Sequence, residues 1–219
     1  MKVSRSKTEY MCVNERECSG VVRLQGEEVE KVVELRYMGS TVQSNGVCVG
    51  EVKKRVQAGW GGWRRVTGVI YDRRVSARMN AYRTVVRPAL LYGLETVALS
   101  KRKEVELEVA ELKMLRFLLG VTRMDKIRNE FIRGTVHVGC FGDKVREARL
   151  GWFGHVQRRD MSYIGRRMLR MEPPGRRKRG RPRRRFIDMV REDMQVVGVK
   201  EADVEDRVVW RWMILCGDP

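Results

Sequence analysis

The chain has 219 residues, 42% apolar and 34% charged, enough to bury a modest core and too apolar for a wholly disordered polymer. Lys and Arg number 46 against 28 Asp and Glu, and the net charge of +18 makes a nucleic acid the leading partner and another polyanion the second. No apolar run approaches the roughly 20 residues that span a bilayer, and the start MKVSRSKTEYM has no apolar h-region, so neither a membrane partner nor secretion is expected.

In chain order, the pattern from Tyr10 to Met38 is strand-like. Val21 to Leu24 and Val32 to Tyr37 flank a turn at Gln25-Gly26-Glu27, where Gly26 supplies the positive φ of a tight hairpin. After Gly39 the period becomes helical. Glu51 to Val66 reads as one helix weakened by Gly59, Gly61 and Gly62, and Ser76 to Val86 as a second with Ser76 as its N-cap. The clearest helix is Glu104 to Leu119. Its predicted apolar stripe is Val105, Val109, Leu112, Leu115 and Leu119, its adjacent polar face Glu104, Glu108 and Glu111, and its C′ residue Gly120. Asp143 to Val156 and Phe186 to Val197, closed by Gly198, are further helices. The expected fold class is α+β, mainly α.

Charge is unevenly spread. Arg166 to Arg185 holds eleven Lys or Arg and one acid, so 20 residues carry +10 and the other 199 carry +8. Pro173, Pro174, Gly175, Gly180 and Pro182 break helices there, which predicts an extended basic linker. The expected organisation is a β-hairpin region 1–47, a helical region 48–122, a helical connection 123–165, the linker 166–185 and a C-terminal helical segment 186–219.

No complete active site is visible. The aspartates form no adjacent pair of the kind that holds Mg²⁺, and no phosphate-cradling loop is present. The five cysteines are scattered without a CxxC pair, and His137 with Cys140 lacks a second ligand pair, so no metal site and no small-molecule substrate are expected. The linker carries more information. Arg179-Gly180-Arg181-Pro182-Arg183, flanked by Arg176, Arg177, Lys178, Arg184 and Arg185, resembles an AT-hook, whose flat core lies in a narrow A·T-rich minor groove. A sequence-blind phosphate binder or a nuclear localisation signal is the plainer reading, and an intracellular, nuclear location is expected. Trp60 and Trp63 stand among Lys53, Lys54, Arg64 and Arg65, which suits either base stacking beside a basic groove or core packing. Trp152 and Phe153 with His155, and Trp210 with Trp212, read as packing groups.

Seven segments then fall into a familiar order: KTEYM (Lys7 to Met11), RYMGSTVQSNG (Arg36 to Gly46), VVRPALLYGLETVAL (Val85 to Leu99), LRFLLGV (Leu115 to Val121), GWFGHVQRRD (Gly151 to Asp160), GRPRRRFIDMVREDM (Gly180 to Met194) and VVWRWMILCGDP (Val208 to Pro219). The series resembles the C-terminal part of reverse transcriptases of non-LTR, LINE-like retrotransposons, across nearly the whole chain. The resemblance implies that residues 1–47 are the end of a palm and 48–122 a thumb. It puts Lys7 in the lysine-bearing palm motif and Tyr37, Met38 and Gly39 on a primer-gripping hairpin, with Met38 where the family usually has Leu. It implies RNA or DNA as partner, with Lys53, Lys54, Arg64, Arg65 and the basic linker as contacts. The family's catalytic aspartates and their Mg²⁺ lie upstream of the matching region, so no polymerase activity is expected of this polypeptide alone, and a 5′-truncated element copy would begin as this chain does. The alternative is a non-enzymatic binding module acting through the Arg-Gly-Arg-Pro tract.

Overall fold

A computed structural model describes residues 8–12, 20–37, 40–44, 49–71, 75–171 and 184–216. The fold is α+β and mainly helical, with short strands confined to the N-terminal part. The chain divides into two compact units, residues 1–54 and 55–219.

Among the described residues of the first unit the strands pair two by two. β1 (Glu9–Tyr10) lies parallel to β4 (Glu30–Lys31). β2 (Arg23–Leu24) and β3 (Glu27–Glu28) form a hairpin around Gln25 at φ 55° and Gly26 at φ 89°. Consecutive left-handed residues match the right-handed twist of the flanking strands. β5 (Glu34–Tyr37) pairs antiparallel with β6 (Ser40–Gln43), with Glu34 opposite Gln43 and Tyr37 opposite Ser40. The extended pattern therefore continues beyond Gly39. Thr41 and Val42 are β-branched and favour the pleated backbone, which a reading based on glycine as a boundary overlooks.

Helix α1 (Val49–Arg65) begins in this unit and runs into the next. Beyond it come α2 (Thr67–Ile70) and α3 (Val75–Ala81), then a π-helical turn Tyr82–Val86, α4 (Arg87–Leu91) and a 3₁₀ turn Leu94–Thr96. The long helix α5 (Lys101–Leu119) ends on Gly120 at φ 69°, whose N–H bonds back to the Arg116 and Phe117 carbonyls. α6 (Asn129–Thr135), α7 (Phe141–Gln157), α8 (Ile164–Arg170), α9 (Phe186–Val197) and α10 (Arg207–Ile214) complete the unit. Asp206 caps α10 by accepting the Val208 and Val209 N–H groups at 2.8 and 3.0 Å.

Helix α7 is the hub, touching α5, α8, α9, α10 and the 3₁₀ turn Leu94–Thr96. Leu150 and Phe153 on α7 meet Val190 on α9, Val199, Val204, and Trp210 and Ile214 on α10 in one buried cluster. Gly154 lets α10 approach closely, because a Cβ there would lie 2.8 Å from Trp210 Cδ1. The indole N–H donates to the Leu150 carbonyl at 3.2 Å. Gly59 does the same for α1, where a Cβ would lie 2.5 Å from Leu90 Cδ2. That glycine costs helix propensity and is repaid in close packing. Trp210 is 1% exposed and Trp212 77%, so only the first is a packing residue. Two residues advance an α-helix by a little over half a turn, about 200°, and set the two indoles on opposite sides.

The buried face of α5 is Leu107, Ala110, Glu111, Leu112, Met114, Leu115 and Leu118, while Val105 and Val109 are exposed. Of the predicted stripe, Leu112 and Leu115 are buried and Leu119 is half-buried, but the buried face is centred on the side of Leu107, Met114 and Leu118. Glu111, assigned to a polar face, is fully buried because Tyr82 and Arg87 satisfy one of its oxygens.

Candidate nucleic-acid interface

The proposed basic contacts fall into three groups. Lys53 is exposed, and Lys54 Nζ reaches Glu34 Oε1 at 2.5 Å and Thr41 Oγ1 at 2.6 Å within the first unit. The hydrogen bond from Lys54, aided by Gln43, holds the Glu34 carboxyl below the usual range. Lys54 is thus committed to an ion pair, leaving Lys53 as the unengaged cation of the two. Glu51, in the first turn of α1, accepts the Thr41 N–H at 2.8 Å and ties the hairpin to the helix start.

Arg64 and Arg65 occupy the last turn of α1, both exposed, where cations also complement the helix dipole. Beside them Trp63 is 5% exposed and packs edge-to-face on Phe117 at 5.5 Å and on Trp60 at 6.0 Å. Trp63 is a core residue; Trp60, half-buried, retains an accessible part.

Of the linker, Arg184 pairs with Glu192, and the Asp188 carboxylate accepts the Arg185 N–H at 3.3 Å at the start of α9. Arg176, Arg177, Lys178, Arg179, Arg181 and Arg183 lie outside the described residues, as do Lys7, Met38 and Gly39. Tyr37 has its backbone paired with Ser40 at the mouth of the β5–β6 hairpin.

Two arrangements went unseen in the sequence. The first is a buried polar network in the helical unit. Tyr82 Oη donates to Glu111 Oε1 at 2.8 Å, and Arg87 Nε stands 3.3 Å from the same oxygen while its Nη2 donates to the Gly139 carbonyl at 2.6 Å. Burial pushes the Glu111 carboxyl above its usual range, outweighing the nearby guanidinium of Arg87 and the Tyr82 hydrogen bond. Arg149, equally buried, donates to Asp193 at 2.8 Å and to Glu104 at 3.4 Å. Such networks are structural: each charge has a partner, and they fix how α4, α5, α7 and α9 meet.

The second is an open groove of about 870 Å³ between α7 and α10, lined by Lys144, His155, Arg158, Arg159, Arg207 and Arg211. Its signal was the recurrence of Lys144, Ala148, Gly151, His155 and Arg158 at steps of three and four, which places them on one helical face. Among the described residues no group of three or more His, Cys, Asp or Glu is placed to hold a metal ion, and no helix is long and apolar enough to cross a membrane.

No family model matches the chain, and no solved structure matches it. The chain is 26% identical over 199 residues to an uncharacterized transposon-derived protein of Caenorhabditis elegans, an alignment that covers 87% of this chain and 69% of that protein. The likeness points to a transposon-related origin for the chain.

Proposed function

We propose that the chain is the region of a non-LTR retrotransposon reverse transcriptase that follows the catalytic aspartates, and that it binds RNA or DNA without polymerising nucleotides by itself. The observation that carries this reading is the similarity to a transposon-derived protein over 87% of the chain. The ordered motif series and the succession of a hairpin at Glu34–Gln43 and a helical body support it. In this reading the residues Tyr37, Met38 and Gly39 meet a primer end, and Lys53, Arg64 and Arg65 meet the phosphates of a template-primer duplex. Lys54 joins them if its pairing with Glu34 opens. Mg²⁺ belongs to aspartates that this sequence does not contain. A second reading rests on the +10 carried by Arg166 to Arg185: a binding module acting through the Arg179, Arg181 and Arg183 tract, with a nuclear location.

The test is fluorescence anisotropy with an RNA–DNA primer-template and with A·T-rich and G·C-rich duplexes, each at two salt concentrations. A primer-template preference that persists at higher salt and is lost in the Lys53→Gln, Arg64→Gln, Arg65→Gln variant is expected. Loss of nearly all binding on replacing Arg179, Arg181 and Arg183 instead, with an A·T preference, favours the second reading. Primer extension with Mg²⁺ and nucleotides should give no product, and extension by the purified chain would overturn the catalytic part of the proposal.

A further inference from the structure

The groove between α7 and α10 gathers more cations than its lining has acids to match. One rim carries His155, Arg158 and Arg159, the other Arg207 and Arg211. The one acid in the lining, Glu147, already accepts from Lys144 Nζ and from the Cys216 N–H, both at 3.0 Å. Arg159, Arg207 and Arg211 have no carboxylate partner among the described residues. Arg158 is held in place by donating to the Val204 carbonyl at 2.8 Å; its own burial and the nearby Arg207 lower its proton affinity. Cations facing each other across a groove repel, and an anion between them relieves that repulsion.

The layout suits a chain of anions better than a single one. Arg207 and Arg211 stand one turn apart on α10, about 6 Å at 1.5 Å per residue, and Arg159 follows the facing end of α7, so the unmatched cations are spaced for more than one phosphate. Between the rims the accessible floor is small or apolar: Leu91, Ala148 and Gly151, all half-buried, and the exposed Leu215. Such a floor accepts the faces of unpaired bases. A duplex keeps those faces stacked inside and would gain only the rims.

We propose that the α7–α10 groove binds a single-stranded nucleic acid, with phosphates on Arg159, Arg207 and Arg211 and bases against the apolar floor. The site rests on the nucleic-acid-binding reading above and assigns it to residues other than those of the basic tract and of α1.

The experiment uses the full chain and labelled 12-residue single strands of RNA and of DNA, with a G·C duplex of equal length. Anisotropy is followed at about 50 and 200 mM salt. The Arg159→Gln, Arg207→Gln, Arg211→Gln variant should bind the single strands at least tenfold more weakly at low salt, and its log K against log salt slope should fall by about 2, from roughly 0.7 per lost phosphate contact. Duplex binding should change less than threefold. A control that removes three exposed cations elsewhere, Arg102→Gln, Lys113→Gln, Arg123→Gln, should lose less than threefold. The RNA and DNA arms tell which sugar the groove prefers.

Equal loss in the two triple variants, or wild-type binding by the groove variant, overturns the groove while leaving the broader reading intact. A wild-type chain that binds none of the three probes overturns both. If the groove variant melts early, the single exposed change Arg211→Gln, read by a slope lower by about 0.7, decides the matter. The Arg207→Lys, Arg211→Lys variant, which keeps the charge, should remain within threefold of wild type.

Discussion

The N-terminal unit and the helical unit solve the problem of burial differently. Among the described residues of the first, only Thr41, Glu51 and Val52 are buried, and Val33 is 75% exposed. Its strands pair in twos, and a two-stranded ribbon has no second layer on which to bury a face. The helical unit holds a contiguous cluster on α7, α9 and α10 and can also bury Arg87, Glu111 and Arg149, because each charge finds a partner on another helix. The lesson is that the strands hold by backbone pairing and surface ion pairs, whereas the helices hold by packing. Substitutions should therefore register very unequally in the two units.

The largest effect is expected at Trp210. Trp210→Ala should destabilise the helical unit by about 3–5 kcal/mol, while Trp212→Ala should stay within about 0.5 kcal/mol of wild type. Urea unfolding followed by circular dichroism measures both, and equal effects would contradict the helix orientation described. Glu111→Ala is next. It leaves Arg87 and Tyr82 buried without their acceptor, a loss of about 3 kcal/mol or more. Replacing the trio together (Tyr82→Phe, Arg87→Met, Glu111→Leu) should recover most of it, and a double-mutant cycle reads the coupling.

Glycines give a smaller contrast of opposite sign. Gly59→Ala should cost about 1–3 kcal/mol because its methyl meets Leu90. Gly61→Ala, on the same helix with nothing within 4 Å, should stabilise by about 0.5–1 kcal/mol. Differential scanning calorimetry would show one melting temperature falling and the other rising.

The subtlest difference is in acid. Burial raises the Glu111 and Asp193 carboxyls, so their contribution is fully present below the unfolded carboxyl values and is lost as pH rises through the higher folded ones. Glu34, lowered by Lys54, contributes in the opposite sense: its contribution is present above the unfolded value and lost as pH falls through the lower folded one. Carboxyl NMR titrations should find Glu34 and Glu111 displaced to opposite sides of an unperturbed glutamate. Displacement to the same side would remove this contrast between the units.

Helix positions were legible where caps and periodicity agreed. Gly120 and Gly198 both sit in the left-handed region that their place after an apolar run implied, and Gly26 does so in its turn. The buried face of α5 was not legible. Periodicity treats every Glu as a surface residue, and only the tertiary arrangement brings Tyr82 and Arg87 to Glu111. Of the candidate interface, the density of positive charge was plain, but its sorting was not. Lys54 is engaged by a strand residue 20 positions earlier, and the groove is formed by helices more than 40 residues apart in sequence. Long-range pairings of this sort leave no local trace.

The π-helical turn at Tyr82–Val86 has a further consequence, for insertion and deletion. Tyr82 and Arg87 are five residues apart, and in a regular α-helix five residues advance about 1.4 turns, which would point the two side chains in different directions. A π turn closes after five residues and brings both to the same carboxylate. The local residue count, rather than any one side chain, sets that convergence. Removing one residue between Arg83 and Val86 should restore an ordinary helix and leave the two donors of Glu111 four apart, about 40° from each other on one face. Loss of a single codon there would thus keep α4 coupled to α5, whereas gain of one would turn Arg87 away from Glu111 while leaving Tyr82, Arg87 and Glu111 all in the chain.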